Sequence, residues 1–158
     1  MAKVGKTIAM ILLLVAMTVS GTAEGKLSQV WVLCQPNSFV NVRMFPKKTG
    51  EVVGRLELGD SAWTDGKRKN GFLHLVDSSF EDDGWIYSGF ISRTTVKQAK
   101  NRAKIVSRGR VRARRYVNGT RRKWLENAQE VTVFGISDEW CVTSEGFIQT
   151  KFIRMEGD

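Results

Sequence analysis

Short stretches in which apolar and polar residues alternate run through most of the chain. Successive side chains of a β-strand point to opposite faces, so this period of two predicts strands with one buried face. Clear examples are the segments 39–43 and 52–58, and later the segments 130–134 and 146–149. No segment has a convincing helical period of 3.6 residues. The pattern therefore predicts an all-β protein.

The first 23 residues have a different pattern. Two lysines precede an uncharged and mostly apolar run over residues 7–19, and small residues follow at 20–23. This is the three-part arrangement of a secretory signal peptide, with cleavage expected before Glu24. The alternative is an uncleaved membrane anchor, but the run would rise only about 20 Å as a helix, short of the roughly 30 Å hydrocarbon core. We therefore expect a signal peptide at 1–23 and an exported mature chain with no transmembrane segment.

The rest of the sequence contains two copies of one pattern. Shifts of 69 and then 62 positions align Val42-Arg43 with Val111-Arg112, Leu56-Glu57 with Leu125-Glu126, and Gly84-Trp85-Ile86 with Gly146-Phe147-Ile148. The residues missing from the second copy fall in a polar stretch of the first copy, at 77–83, where a turn tolerates deletion. The sequence therefore predicts one domain at 30–93, a basic linker at 94–104 and a divergent second domain at 105–155.

The length of each copy limits its architecture. A copy of this size cannot form two large sheets. A small barrel that closes on itself leaves no open sheet edges and encloses one compact core. We therefore predict two small β-barrels in tandem after the signal peptide.

The first copy contains four short motifs in order, namely VNVR at 40–43 followed by Pro46, VVGRLELGD at 52–60, GFLHL at 71–75 and GWIYSGFI at 84–91. Their order resembles the bacterial SH3-type domain, SH3b. The second copy keeps the glycine and apolar residues at 146–148 but has Ala128-Gln129 in place of the Gly-Asp pair. The resemblance implies SH3-like barrels and a non-catalytic module of exported bacterial proteins. Several such modules bind peptidoglycan peptides.

Basic residues are concentrated in one segment of the chain. The 158 residues carry a net charge of +9, yet residues 97–124 contain twelve basic residues and no acidic residue. Alternate spacing in this segment predicts arginines on one face of a strand, with further basic residues beyond a turn at 118–119. The candidate polyanion-binding residues are Arg108, Arg110, Arg112, Arg114, Arg121, Arg122 and Lys123. A solvated outer face, balanced in part by the acidic segment 125–158, remains the alternative.

Other candidate residues lie in the first copy. Trp85 and Tyr87 are on the predicted closing strand, where a barrel groove could bind a ligand, while Asn41 and Arg43 either fix a turn or bind ligand. His74 alternates with leucines and is expected to be an exposed strand residue rather than a catalytic one.

Two cysteines, Cys34 and Cys141, leave two possibilities open. Export permits a disulfide between the copies, whereas buried free thiols are the alternative. A bridge would require the two Cα atoms to lie within about 7 Å.

The composition also excludes several kinds of catalytic site. One histidine and two cysteines cannot build a zinc site with several histidines, a four-cysteine zinc site or a Cys-His-His peptidase centre. No nucleophile elbow or glycine-rich phosphate loop is present. We therefore expect no enzymatic activity, no metal and no cofactor.

These observations favour an exported, cell-envelope-associated binding protein that recognises peptidoglycan or another anionic envelope polymer. The alternative is a protein-interaction module that docks on an envelope enzyme or receptor. We do not expect nucleic acid as a partner.

Overall fold

The computed structural model describes residues 26–76, 80 and 83–157, so the predicted signal peptide lies outside the described residues. Within these ranges the elements are β1 (Ser28–Val32), β2 (Phe39–Arg43), β3 (Val52–Glu57), β4 (Ser61–Thr64), β5 (Arg68–Lys69), β6 (Phe72–Leu75), β7 (Gly84–Tyr87), the 3-10 helix η1 (Ser88–Phe90), β8 (Ile91–Ser92), β9 (Lys97–Ile105), β10 (Val111–Arg114), β11 (Arg121–Leu125), β12 (Glu130–Ile136), β13 (Trp140–Thr143), β14 (Gly146–Gln149), the 3-10 helix η2 (Thr150–Phe152) and β15 (Ile153–Met155). The prediction of an all-β protein is confirmed. Across these same ranges, no helix is long and apolar enough to cross a membrane.

The strands form three antiparallel sheets. The first half of the chain contributes the sheets β4-β1-β8 and β3-β2-β7-β6-β5, and the second half contributes β11-β10-β14-β13-β12-β9-β15. None of the three closes on itself as a barrel. The alternating burial expected from the sequence is present, for example in β2, where Val40 and Val42 are buried between more exposed neighbours.

The predicted linker at 94–104 is wrong over most of its length. Residues Lys97–Ile105 form the nine-residue strand β9, which pairs with β12 on one side and β15 on the other. Only Ala103 and Ile105 of this strand are fully buried, so its sequence lacks the apolar alternation that reveals other strands. Gln98 also donates a 2.6 Å hydrogen bond to the carbonyl of Leu58, which attaches β9 to the first half.

The two halves repeat one strand order. In the first half, the amide of Val76 donates to the carbonyl of Trp63 at 2.9 Å, which connects the end of β6 to β4. The order is then β3-β2-β7-β6-β4-β1-β8, which matches β11-β10-β14-β13-β12-β9-β15 strand for strand. Three backbone hydrogen bonds of the first half have a counterpart in the second, with the amide named first and the carbonyl second. Val32 to Asp60 corresponds to Ile105 to Gln129, Leu33 to Phe90 corresponds to Val106 to Phe152, and Val76 to Trp63 corresponds to Ser144 to Thr132.

The register of the repeat differs from the sequence alignment at one strand. Arg43 lies opposite Trp85, and Arg114 lies opposite Phe147, the residue that corresponds to Trp85. Arg43 therefore corresponds to Arg114, a shift of 71 positions, and not to Arg112. Each of these two arginines also donates a 2.7 Å hydrogen bond to a glycine carbonyl in the turn that follows its strand.

The buried apolar residues form two clusters, one of which joins the halves. One cluster lies inside the second half and includes Ile105 and Ile148. The other fills the first half and also takes in Trp140, Val142 and Phe147 from the second half. The rings of Phe90 and Phe147 are 6.1 Å apart across this boundary. The halves therefore share a core rather than being joined by a flexible connection.

Both cysteines are buried free thiols, so the disulfide alternative is not realised. Cys34 belongs to the shared cluster and Cys141 to the cluster inside the second half. Burial raises the pKa of Cys34 to about 11, helped by the nearby carboxylates of Asp60 and Glu57. Burial also raises the pKa of Cys141. Neither thiol has the lowered pKa that marks a reactive cysteine.

Candidate anion-binding site

The basic residues of β10 and β11 come together on the outer face of the second half. Val111 and Ala113 are 3 % and 0 % exposed and point into the core. Alternation therefore sends Arg112 to the outer face, where it lies directly opposite Trp124 of β11. The apolar residues of β10 thus decide which way its arginines point.

Three arginines surround the ring of Trp124. The guanidinium carbons of Arg110, Arg112 and Arg121 lie 5.2, 5.3 and 5.0 Å from the ring centroid. Each cation is attracted by the electron-rich ring, by about 0.5–1 kcal/mol at an exposed position. Among the described residues, none of the three arginines forms an ion pair with an acidic side chain. The ring therefore gathers three positive charges whose N–H donors are not taken up by carboxylates.

This group, which we call the Trp124 site, borders a cavity of about 320 Å³. Arg110, Arg112 and Trp124 line this cavity together with Val111, Arg114, Gln149 and Phe152, while Arg121 contacts the ring from outside the cavity lining. Guanidinium groups bind phosphate and carboxylate oxygens through paired N–H donors, and an amide such as that of Gln149 adds a neutral donor and acceptor. The arrangement is suited to holding an anionic group against a partly apolar wall.

Four of the seven predicted polyanion-binding residues lie in this site. Besides the three arginines at the ring, Arg114 lines the cavity, while its Nη1 donates to the carbonyl of Gly119 and its guanidinium lies 6.0 Å from the ring centroid of Trp140. It therefore holds a turn as well as bordering the site.

The other three predicted residues neither contact the ring of Trp124 nor line the cavity. Arg108 precedes the strand in a bend and Arg122 is exposed on β11. Lys123 pairs with Glu145 at 2.5 Å. Sequence reasoning missed Trp124 as a site residue, although its place inside the basic segment was a usable signal.

The predicted groove residues of the first half are held by other side chains. Tyr87 packs against the rings of Phe72, Phe90 and Tyr116, at centroid distances of 5.6, 6.0 and 5.3 Å. A hydrogen bond with Tyr116 raises the pKa of Tyr87, and burial adds to this effect. Tyr87 therefore belongs to the contact between the halves.

Asn41, Arg43 and Trp85 occupy neighbouring positions on the outer face of β2 and β7. Arg43 donates to the carbonyl of Gly50 and so holds the turn after β2. The Oδ1 atom of Asn41 is buried and has no hydrogen-bond partner among the described residues. Trp85 stacks on His74 with the ring centroids 4.7 Å apart. The structure therefore brings these three residues together, but Arg43 and Trp85 each also have a contact within the protein.

His74 is more covered than the sequence suggests, with a side chain that is 13 % exposed. It points away from the core leucines as expected, but Trp85 lies over it. Its Nδ1 lies 3.0 Å from Oδ2 of Asp65 and its Nε2 lies 3.7 Å from Oδ2 of Asp83. Burial alone would raise the pKa of Asp65, but contacts with Lys67 and His74 lower it to about 2. Within the described ranges, no group of three or more potential ligands could hold a metal ion.

No protein-family model and no curated protein sequence matches the chain. Among solved structures, it is similar to NlpC1 from Trichomonas vaginalis, with a TM-score of 0.35 and 13 % identity over 84 % of this chain and 47 % of that one. It is also similar to NlpC2 from the same organism, with a TM-score of 0.37 and 13 % identity over 82 % of this chain and 48 % of that one. The chain thus spans about half the length of both proteins.

Proposed function

We propose that the protein is a non-catalytic binding protein for an anionic polymer, and that the Trp124 site is where the polymer binds. The single observation behind this is the gathering of three arginines around one ring beside an open cavity. Like charges brought this close repel one another, so an anionic ligand that neutralises them gains free energy. A string of phosphates or carboxylates can occupy several of these cations at once.

The setting we propose is the envelope of a bacterium, with the polymer or peptidoglycan of the cell wall as ligand. The signal-peptide pattern at 1–23 and the SH3b-like motifs of the first half support this setting. The repeated seven-strand order is compatible with two SH3-like units that share a core. We further propose that each half is a small SH3-like barrel, that the protein is secreted, and that it has no catalytic activity.

A second candidate function, docking on an envelope enzyme or receptor, rests on exposed aromatic side chains of the first half. Phe39, Phe45 and Trp63 are 46 %, 53 % and 46 % exposed. Exposed aromatic side chains of this kind are often contact points for another protein. Salt separates the two functions, because ionic contacts weaken with ionic strength and apolar contacts do not.

The proposal is tested by sedimenting the chain without residues 1–23 together with purified cell walls, with and without their covalently attached anionic polymer, over a series of salt concentrations. We expect the protein to sediment with the polymer-bearing walls and to be released as salt rises. Failure to sediment with either preparation would overturn the proposal. Sedimentation that does not change with salt would contradict an ionic contact between the polymer and the Trp124 site.

A further inference from the structure

A second cavity of about 380 Å³ lies where the two halves meet. We call it the inter-half cavity. Arg68 and Arg93 line it from the first half, and Asn118, Glu139 and Trp140 line it from the second. None of these five residues lines the cavity of the Trp124 site. The two sites can therefore be altered separately.

The floor of the inter-half cavity is fixed by backbone and aromatic contacts. The amide of Val117 donates a 2.8 Å hydrogen bond to the carbonyl of Gly89. Gly89 is buried, and a Cβ atom there would lie only 2.7 Å from the rings of Tyr87 and Tyr116. Trp140 is 5 % exposed. Since these groups are already packed, a ligand would meet a preformed surface.

The hydroxyl groups of the cavity wall are already used within the protein. Ser88 Oγ donates to the carbonyl of Gly71 at 2.7 Å, and Ser92 Oγ donates to the carbonyl of Thr94 at 2.7 Å. Recognition of a ligand therefore falls mainly to the charged side chains.

Those charges have both signs. Arg68, Arg93 and Glu139 are exposed, and among the described residues none of them takes part in an ion pair. The Trp124 site, in contrast, has cations and no acidic residue among its lining residues. A polyanion suits the Trp124 site but would be repelled by Glu139. Two guanidinium groups and one carboxylate instead complement a molecule that carries a carboxylate and an ammonium group.

The volume limits the ligand's size, because about 380 Å³ is near the lower end of the 300–1,000 Å³ typical of small-molecule sites. We propose that the inter-half cavity binds a small zwitterion, namely a free amino acid or a dipeptide. Arg68 and Arg93 would bind its carboxylate, and Glu139 would bind its ammonium group.

The test is a titration of the chain without residues 1–23, followed by amide chemical shifts, with alanine, dialanine, N-acetyl-dialanine and dialanine amide as probes. We expect the zwitterionic probes to bind and each blocked dipeptide, which lacks one of the two charges, to bind at least tenfold more weakly. Equal shifts with alanine and dialanine would identify the amino acid as the unit recognised, whereas stronger binding of dialanine would identify the dipeptide. Equal binding of the blocked and free dipeptides, or no binding of any probe, would overturn the proposal.

Variants then locate the site. Arg93→Gln and Glu139→Gln, both at exposed positions, should each weaken dialanine binding at least tenfold while leaving the rest of the spectrum unchanged. Glu139→Gln should strengthen the weak binding of N-acetyl-dialanine, because that probe has no ammonium group for Glu139 to bind and its carboxylate is repelled by Glu139. Arg112→Gln in the Trp124 site is the matched control and should bind dialanine like the unaltered chain. A loss with Arg112→Gln equal to that with Arg93→Gln would contradict the assignment to the inter-half cavity.

Discussion

The outer faces of β2–β3 and β10–β11 occupy the same place in the two halves but carry different side chains. In the first half, one cation faces one ring, with the Arg55 guanidinium 4.3 Å from the centroid of Phe39. In the second half, Trp124 takes the position of Arg55, and three arginines face it. A cation contacts a ring in both halves, but the ring lies on β2 in the first half and on β11, the equivalent of β3, in the second. One scaffold can therefore carry a single cation–ring pair on one outer face and a cluster of three arginines on the equivalent face.

The largest effect we predict concerns the core that joins the halves. Phe147→Ala removes a ring that is 2 % exposed and packs on Phe90, so it should lower the free energy of unfolding by about 3–5 kcal/mol. Urea unfolding followed by tryptophan fluorescence should keep a single transition, since both halves lose the same contact. Phe45→Ala, at a position that is 53 % exposed, is the control and should change stability by less than about 0.5 kcal/mol. Two separate transitions in the unaltered chain would show that the halves fold independently.

A smaller effect tests the register of the repeat. Arg43→Gln and Arg114→Gln each remove a hydrogen bond to a turn carbonyl, so each should cost about 1–2 kcal/mol of unfolding free energy. Arg112→Gln is the control, because Arg112 contacts Trp124 but donates to no carbonyl among the described residues. If Arg112→Gln cost as much as Arg43→Gln and Arg114→Gln cost nothing, the shift of 71 positions would be wrong.

One pH effect should come from a residue of the first half that has no titratable counterpart in the second. The pKa of Asp65 is lowered from 3.8 to about 2, so its contribution to stability is complete above about pH 4 and is lost as the pH falls through about 2. The corresponding position of the second half is Phe134, which cannot titrate. Asp65→Asn should therefore flatten the loss of unfolding free energy between pH 4 and pH 2, as measured by urea unfolding at each pH. An unchanged pH profile would show that Asp65 gains nothing from Lys67 and His74.

The smallest effect concerns one turn that the halves build with different residues. Gly59 and Ala128 both have positive φ angles, 88° and 63°, a conformation that costs alanine more than glycine. Gly59→Ala should therefore destabilise the protein by about 1 kcal/mol, and Ala128→Gly should stabilise it by up to about 1 kcal/mol. Thermal unfolding of the two variants side by side would reveal the opposite signs. Changes of the same sign would mean that the two turns are not equivalent.

Alternation along the chain predicted most strands, because apolar and polar residues alternate in a strand that has one buried and one exposed face. It also predicted correctly that Arg112 points away from the core that receives Val111 and Ala113. β9 was not predicted because few of its side chains are buried, so its sequence shows little apolar alternation. Hydrogen bonds to a neighbouring strand on each side hold it in the sheet.

The site was harder to predict because it depends on register across strands. The segment VRAR at 111–114 offers two alignments with VNVR that match two residues each, and the shift of 69 was preferred because it also aligns Leu56-Glu57 with Leu125-Glu126. Only the pairing of Arg114 with Phe147 fixes the choice. Trp124 was missed for a related reason, since tryptophan usually fills a core and two of its three arginine neighbours, Arg110 and Arg112, come from β10 and the residue before it.

The most direct test of the Trp124 site compares two triple variants with equal loss of charge. One replaces Arg110, Arg112 and Arg121 by Gln, and the other replaces Lys97, Lys100 and Arg102 of β9, which are exposed and lie in the same basic segment. Affinity for a soluble poly(glycerol phosphate) chain is measured at several salt concentrations.

We predict that the first variant loses at least tenfold in affinity. The slope of log affinity against log salt concentration should become less steep by about two to three. The β9 variant should change affinity by less than about threefold. Equal losses in both variants would mean that net charge alone attracts the polymer. Unchanged affinity in the first variant would contradict the account and show that the arginines around Trp124 are only a solvated face.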